Sequence, residues 1–135
     1  MKKRFYILGI TGILLALAYV TTVFGQKGEV IEQEIRFVRG KSSATVKGVV
    51  ADRLDSHIFY LTAQAGQTMS VTMNSARPMR DAHLVVNFPL TDAGENETLS
   101  GKRKYVFTLP RSGKYEIYIE AIRDKIPYTI TVTIK

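Results

Sequence analysis

The 135-residue sequence predicts an all-β protein, a jelly-roll-like antiparallel β-sandwich of about eight strands. Several short segments alternate apolar and polar residues, a period of two that a strand uses to bury one face and a helix does not. Turn residues separate these segments at intervals of roughly 10 to 15 residues, which is typical of two packed sheets. Beyond residue 25 no segment has a convincing helical period.

Four strands are predicted in the first half of the chain. The residues expected to share a face are, in order, Ile31, Ile35 and Phe37; Ala44, Val46, Gly48 and Val50; the run 58–63; and Met69, Val71 and Met73. The run 58–63 is apolar on both faces, so we expect it in the interior of its sheet. Residues 74–81 contain Pro78 and are predicted to be irregular.

Four more strands are predicted in the second half. Their expected inward residues are Ala82, Leu84, Val86 and Phe88; Tyr105, Phe107 and Leu109; Tyr115, Ile117, Ile119 and Ala121; and Tyr128, Ile130, Val132 and Ile134. The polar stretch 91–101 is predicted to be a long loop at the rim of the sandwich. The last two strands are predicted to form an antiparallel pair, connected by the charged stretch 122–127.

The N-terminus has the pattern of an export signal. Three basic residues precede an apolar run from Phe5 to Phe24, and Val23-Phe24-Gly25 is a plausible cleavage site. Residues 1–25 are therefore predicted to be a signal peptide and residues 26–135 a single β-sandwich domain, periplasmic or secreted. An uncleaved anchor is the alternative, since about 20 apolar residues can span a bilayer. The absence of cysteine excludes a lipoprotein and disulfides.

The charge of the predicted mature chain is mildly basic. Removing residues 1–25 takes away three positive charges and no negative ones, so the formal charge falls from +7 to +4. Such a charge favours anionic polymers of the cell envelope or acidic proteins as partners, and it is smaller than is typical of nucleic-acid-binding domains. We expect no nucleic acid as a partner and no membrane span after signal cleavage.

The sequence offers few residues that could form a catalytic or metal site. His57 and His83 both fall in predicted strands, where a partly exposed structural role is expected. Neither a nucleophile-elbow pattern nor zinc-binding histidine spacing is present, so we predict no enzyme and no cofactor. The acidic stretch 92–97 could supply oxygen ligands to calcium, although a solvated loop is favoured. Asp52 and Asp55 are expected to cap the turn between the second and third strands.

The remaining candidate site is basic and lies in loops. Arg123 and Lys125 occur in the connection between the last two strands, and Arg53 lies in the bend after the second. A guanidinium can pair with a carboxylate through two hydrogen bonds, so an exposed arginine on a rigid loop suits an acidic cleft. Solubilising charge is the simpler interpretation of the same residues.

The sequence resembles the bacterial periplasmic inhibitors of g-type (goose-type) lysozyme over nearly the whole predicted mature chain. The segments that carry the likeness are Arg36-Phe37, Gly40-Lys-Ser-Ser-Ala44, Gly48, Ala65-Gly66-Gln67, Leu109-Pro-Arg-Ser-Gly-Lys-Tyr-Glu116 and the final strand to Lys135. The resemblance implies a small noncatalytic β-sandwich related to bacterial pre-peptidase C-terminal domains. It also implies an exported protein that inserts loops into the substrate cleft of a lysozyme.

The same resemblance implies a role for Arg123, which stands where the family carries a functionally important arginine. The connection after it is shorter and less basic than in the family, and Arg53 replaces an expected tyrosine. The partner that the resemblance implies is a g-type lysozyme, or another envelope or extracellular protein. A stand-alone module that binds glycan or calcium, and a small hydrolase, are the alternatives.

Overall fold

Residues 28–135 are described by the computed structural model, and they form nine strands and one short 3-10 helix. The strands are β1 (Val30–Glu34), β2 (Ser43–Val50), β3 (Ser56–Ala63), β4 (Thr68–Asn74), β5 (Ala82–Asn87), β6 (Thr98–Lys102), β7 (Lys104–Thr108), β8 (Gly113–Ala121) and β9 (Ile126–Ile134). The 3-10 helix, Met79–Asp81, precedes β5. The predicted signal peptide, residues 1–25, lies outside the described residues.

The strands form two sheets, as predicted from the alternation. One has five strands in the order β1-β3-β8-β5-β6, and the other has four in the order β2-β9-β4-β7. All neighbours pair antiparallel except β1 and β3, which run parallel. The run 58–63 lies within β3, which has a neighbour on each side, so its expected interior position is confirmed. In residues 28–135 no helix is long and apolar enough to cross a membrane.

The structure has one strand more than the sequence predicts. β6 begins inside the stretch 91–101 that was expected to be a loop and extends one residue beyond it. Its only partly buried apolar residue is Leu99, and the pairing with β5 shifts between Leu84 and Val85. A short edge strand of this kind carries little alternation, because it has few residues to bury.

The core lies between the two sheets and is built from the predicted inward faces. Fully enclosed side chains include Met69, Val71, Leu84, Val86, Tyr115, Ile117, Ile130 and Val132. The prediction fails at Ile31, which is 38% exposed, because β1 is an edge strand with all five residues exposed. Ile35 follows β1 and is buried, so the chain enters the core only as it leaves this strand.

The last two strands do not pair with each other, contrary to the prediction. β8 lies between β3 and β5 in the five-stranded sheet, whereas β9 lies between β2 and β4 in the other. Both bury the predicted faces, but from opposite sheets of the shared core. The connection 122–125 is therefore an arch between sheets and not a hairpin. Alternation specifies which side chains point inward, and it is the same for a hairpin and an arch.

A candidate binding tip formed by three loops

Three loops meet at one end of the sandwich, and we call residues 51–55, 75–81 and 122–125 together the tip. The first follows β2, the second follows β4, and the third joins β8 to β9. Main-chain and side-chain hydrogen bonds connect the third loop to each of the other two. The tip therefore contains all three basic residues that the sequence predicted as a site.

Two aspartates organise the loop 51–55, as the sequence predicted. Asp52 accepts a hydrogen bond from the amide of Leu54 at 2.8 Å. Asp55 accepts from the amides of Glu29 at 2.8 Å and Asp52 at 3.1 Å. These two hydrogen bonds hold the pKa of the Asp55 carboxyl below its ordinary value, because they stabilise its charged form. The bend is thus held by its own side chains.

The arch 122–125 is tied directly to this bend. Asp124 Oδ1 accepts a hydrogen bond from the amide of Arg53 at 2.8 Å, and the amide of Lys125 donates to the carbonyl of Ala51 at 3.1 Å. Lys125 has a φ of 56°, a left-handed conformation that turns the chain toward β9. The structure thus brings Arg53 close to Arg123 and Lys125, although more than 65 residues separate them in sequence.

The loop 75–81 was described from the sequence only as irregular, and its place in the tip was missed. The amide of Ile122 donates to the carbonyl of Asp81 at 2.8 Å, and the hydroxyl of Ser75 donates to the carbonyl of Pro127. Arg103 holds the loop from the other side by donating to the carbonyls of Arg77, Pro78 and Ala82. No local sequence signal relates Arg103 to a loop more than 20 residues earlier.

The carboxylates of the tip have hydrogen-bond or ion-pair partners in the described part of the chain, whereas three of its basic side chains do not. The carboxylates of Asp52, Asp55 and Asp124 accept hydrogen bonds from loop amides. That of Asp81 lies about 4 Å from the guanidinium groups of Arg77 and Arg80. Within residues 28–135, by contrast, the charged groups of Arg53, Arg123 and Lys125 have no hydrogen-bond or ion-pair partner, and all three residues are exposed. They are free to meet acidic groups of another molecule.

Apolar side chains are also exposed on these loops. Leu54 is 43% exposed, Met79 57% and Ile122 52%, one in each of the three loops. Large exposed apolar residues that share a surface with unpaired cations are typical of protein-binding sites. The tip therefore combines apolar contact area with unpaired positive charge.

The two histidines have structural contacts. His57 is 4% exposed, so the expected partial exposure is wrong, and its Nδ1 shares a hydrogen bond of 2.7 Å with the Tyr128 hydroxyl. His83 lies on the outer face of the five-stranded sheet, with Nε2 3.0 Å from Glu120 Oε2. Neither histidine belongs to the tip.

The acidic stretch 92–97 lies at the opposite end of the sandwich. Glu97 accepts a hydrogen bond from Arg111 Nη2 at 2.7 Å, and the amide of Glu95 donates to the Thr91 hydroxyl at 3.0 Å. Residues 28–135 hold no group of three or more histidine, cysteine or acidic side chains arranged to bind a metal.

Solved structures with a similar fold include inhibitors of g-type lysozyme. PliG of Aeromonas hydrophila, described as a periplasmic lysozyme inhibitor of g-type lysozyme, matches with a TM-score of 0.65 at 24% identity, over 80% of this chain and 99% of its own. PliG of Salmonella Typhimurium, described in the same words, matches with a TM-score of 0.58 at 22% identity, over 80% and 99%. A pre-peptidase C-terminal domain of a Bacillus anthracis collagenase also matches, with a TM-score of 0.49 at 11% identity.

Searches with protein-family models and against curated proteins gave no match. The resemblance inferred from the sequence is nevertheless confirmed by the solved structures at the level of the fold. Residues 28–135 have the β-sandwich fold of the periplasmic inhibitors of g-type lysozyme.

Proposed function

We propose that this protein is an exported inhibitor of a g-type lysozyme and that it blocks the enzyme's cleft with its tip. The observation that carries the proposal is the pair of hydrogen bonds connecting the arch to the first loop, Arg53 N to Asp124 and Lys125 N to Ala51. They hold three unpaired cations on one rigid surface, and such preorganisation reduces the entropy lost on binding. The fold shared with lysozyme inhibitors supports the same function.

In this mechanism the protein acts by occlusion and needs no catalytic group. Arg123 pairs with a carboxylate in the cleft through its guanidinium fork, and Arg53 and Lys125 attract the acidic cleft during approach. The exposed side chains of Leu54 and Ile122 supply apolar contact beside these charges. The arch is short, so the two neighbouring loops extend the contact surface around it.

The test is an inhibition assay against goose-type, chicken-type and invertebrate-type lysozymes. We expect inhibition of a goose-type enzyme, and Arg123→Ala should weaken it at least about tenfold, because losing one well-paired interfacial charge costs about 2 to 5 kcal/mol. Lys125→Ala should act mainly on the association rate and its salt dependence, since it removes a rim charge.

Arg39→Ala is the matched control. It removes the same charge from an exposed residue at the opposite end of the sandwich, and it should leave inhibition unchanged. Equal losses in the Arg39 and Arg123 variants would show a net-charge effect and contradict the proposed contact. A wild-type protein that neither binds nor inhibits any goose-type lysozyme at micromolar concentration would overturn the proposed function.

A further inference from the structure

The outer face of the four-stranded sheet differs chemically from that of the other sheet. The strands β2, β4, β7 and β9 contain no aspartate or glutamate. The five-stranded sheet has four, namely Glu32, Glu34, Glu116 and Glu120. The charged side chains of β2, β4, β7 and β9 are Lys47 and Lys104, and both are exposed. The charged side chains that these four strands carry are therefore all positive.

Hydroxyl groups cover the middle of this face in regular rows. The register places Thr45, Thr131 and Thr72 side by side in one row, and Ser43, Thr133 and Ser70 in the next. Within the rows, Thr45 Oγ1 lies 3.2 Å from Thr131 Oγ1, and Thr133 donates to Ser43 at 3.1 Å. The strands that carry these hydroxyls are about 4.8 Å apart, and successive rows are about 6.8 Å apart along the strands.

Two grooves lie along this face, and each has a lysine beside a hydroxyl-bearing side chain. The first, of about 400 Å³, is lined by Lys47, Thr129 and Asn74 on this face and extends to Ser75 and Ala76 at the edge of the tip. The second, of about 290 Å³, is lined by Lys104, Ser70 and Thr133 among others. Lys47 and Lys104 are on the two edge strands, which are three strand spacings or about 14 Å apart, and they are offset by one row along the strands. Neither lysine has an ion-pair partner within residues 28–135.

We propose that this face binds an extended polysaccharide that carries carboxylate groups. Hydroxyl groups both donate and accept hydrogen bonds, so rows of them match the hydroxyls of a sugar chain. The two lysines provide charge for its carboxylates, and the absence of acidic residues from these strands removes repulsion. A protein partner fits this face less well. The four strands carry no outward aromatic side chain, the usual anchor of a protein interface, and exposed apolar residues such as Val49 and Val106 lie on the two edge strands.

The test is a titration of the ¹⁵N-labelled protein followed by NMR, with three polymers. Polygalacturonate supplies carboxylates on a sugar chain, dextran is an uncharged glycan, and polyglutamate is a polyanion without sugars. We expect polygalacturonate to shift the amides of β2, β4, β7 and β9 and to bind about tenfold more tightly than either other polymer. Equal binding of polyglutamate would reduce the effect to charge and overturn the proposal, as would shifts confined to the tip.

Variants then locate the site. Lys47→Gln combined with Lys104→Gln should weaken polygalacturonate binding by at least about tenfold. The control is Lys114→Gln combined with Lys102→Gln, which removes the same charge from the other sheet. It should change the affinity for polygalacturonate less than about twofold. Thr131→Val keeps the side-chain shape, removes a central hydroxyl and should weaken binding severalfold without altering its salt dependence. Equal effects of the two lysine pairs, or none from Thr131→Val, would contradict the assigned face. None of the substituted residues belongs to the tip, so all these variants should inhibit lysozyme as the wild type does.

Discussion

Gly48 is the residue that allows a tyrosine and a histidine to meet inside the core. It lies directly opposite Tyr128 in the pairing of β2 with β9, and a Cβ at Gly48 would overlap the Tyr128 hydroxyl. The ring of Tyr128 can therefore pass over β2 and reach His57 in the opposite sheet. The alternation of β2 predicts that position 48 points inward, and the need for glycine there becomes clear only with its partner.

The buried His57 should make stability depend on pH. Burial lowers its pKa below the ordinary value of 6.5, although Asp55 and Glu29 oppose the shift. As the pH falls below 6.5, the unfolded chain takes up a proton before the folded protein does, so the free energy of unfolding decreases until the folded-state pKa is reached. The contribution of the neutral, buried His57 to the free energy of unfolding is thus fully present above about pH 6.5.

Urea unfolding at pH 7.5 and pH 5 measures this effect, and His57→Gln should reduce the difference between the two. The lowered pKa of Asp55 affects stability in a more acidic pH range. Its contribution to the free energy of unfolding is present above pH 3.8 and is lost only as the pH falls further. An identical pH dependence in the wild type and the His57 variant would rule out His57 as the cause.

At the scale of the elements, the predicted core faces are confirmed for the strands other than β1, but most neighbours of each strand could not be predicted. Only β5 and β6 follow each other within one sheet, and every other connection between consecutive described strands crosses to the opposite sheet. A strand that buries one face has the same alternation whether the next strand pairs with it or packs against it. The arch after β8 was therefore mistaken for a hairpin.

The inward face of β8 supplies a direct test of the core. Ile117 is fully buried in the middle strand of the five-stranded sheet, so Ile117→Ala should lower the free energy of unfolding by about 2 to 4 kcal/mol through lost burial and a residual cavity. Val106→Ala, at a position 60% exposed on the edge strand β7, should change it by less than about 0.5 kcal/mol. Similar melting temperatures for the two variants would contradict the assignment of the buried face.

The connection between the arch and the first loop predicts a local change that leaves the rest of the fold intact. Asp124→Ala removes the acceptor of the Arg53 amide, so that amide should exchange with solvent about tenfold faster, as expected for a loss near 1.4 kcal/mol. Amides in the core strand β8 should keep their protection. Hydrogen exchange followed by NMR measures both, and unchanged exchange at Arg53 would show that the loops are held together by other contacts.

For the whole molecule, the sequence predicted the sandwich and singled out the three basic residues that lie at the tip, but it did not predict that the loop 75–81 joins them. Two signals predicted a binding role for Arg53, Arg123 and Lys125. They are basic residues in loops, and the chain resembles a known family. The contribution of residues 75–81 depends on Arg103 and on the pairing of distant strands, which no local pattern encodes. The predicted signal peptide and its removal after Gly25 stay predictions.

The folded protein should be independent of calcium, and this separates an inhibitor from a calcium-binding module. The acidic stretch 92–97 is held by protein groups, since Glu97 pairs with Arg111 at 2.7 Å and its carbonyl accepts from the amide of Phe88 at 2.9 Å. A ligand that binds the folded state raises the free energy of unfolding by about 2.7 kcal/mol at a hundred times its dissociation constant. We therefore expect the same melting temperature in millimolar calcium and in excess EDTA. A rise of several degrees with calcium, abolished by Asp92→Asn combined with Glu95→Gln, would instead establish a metal site in this loop and favour the module.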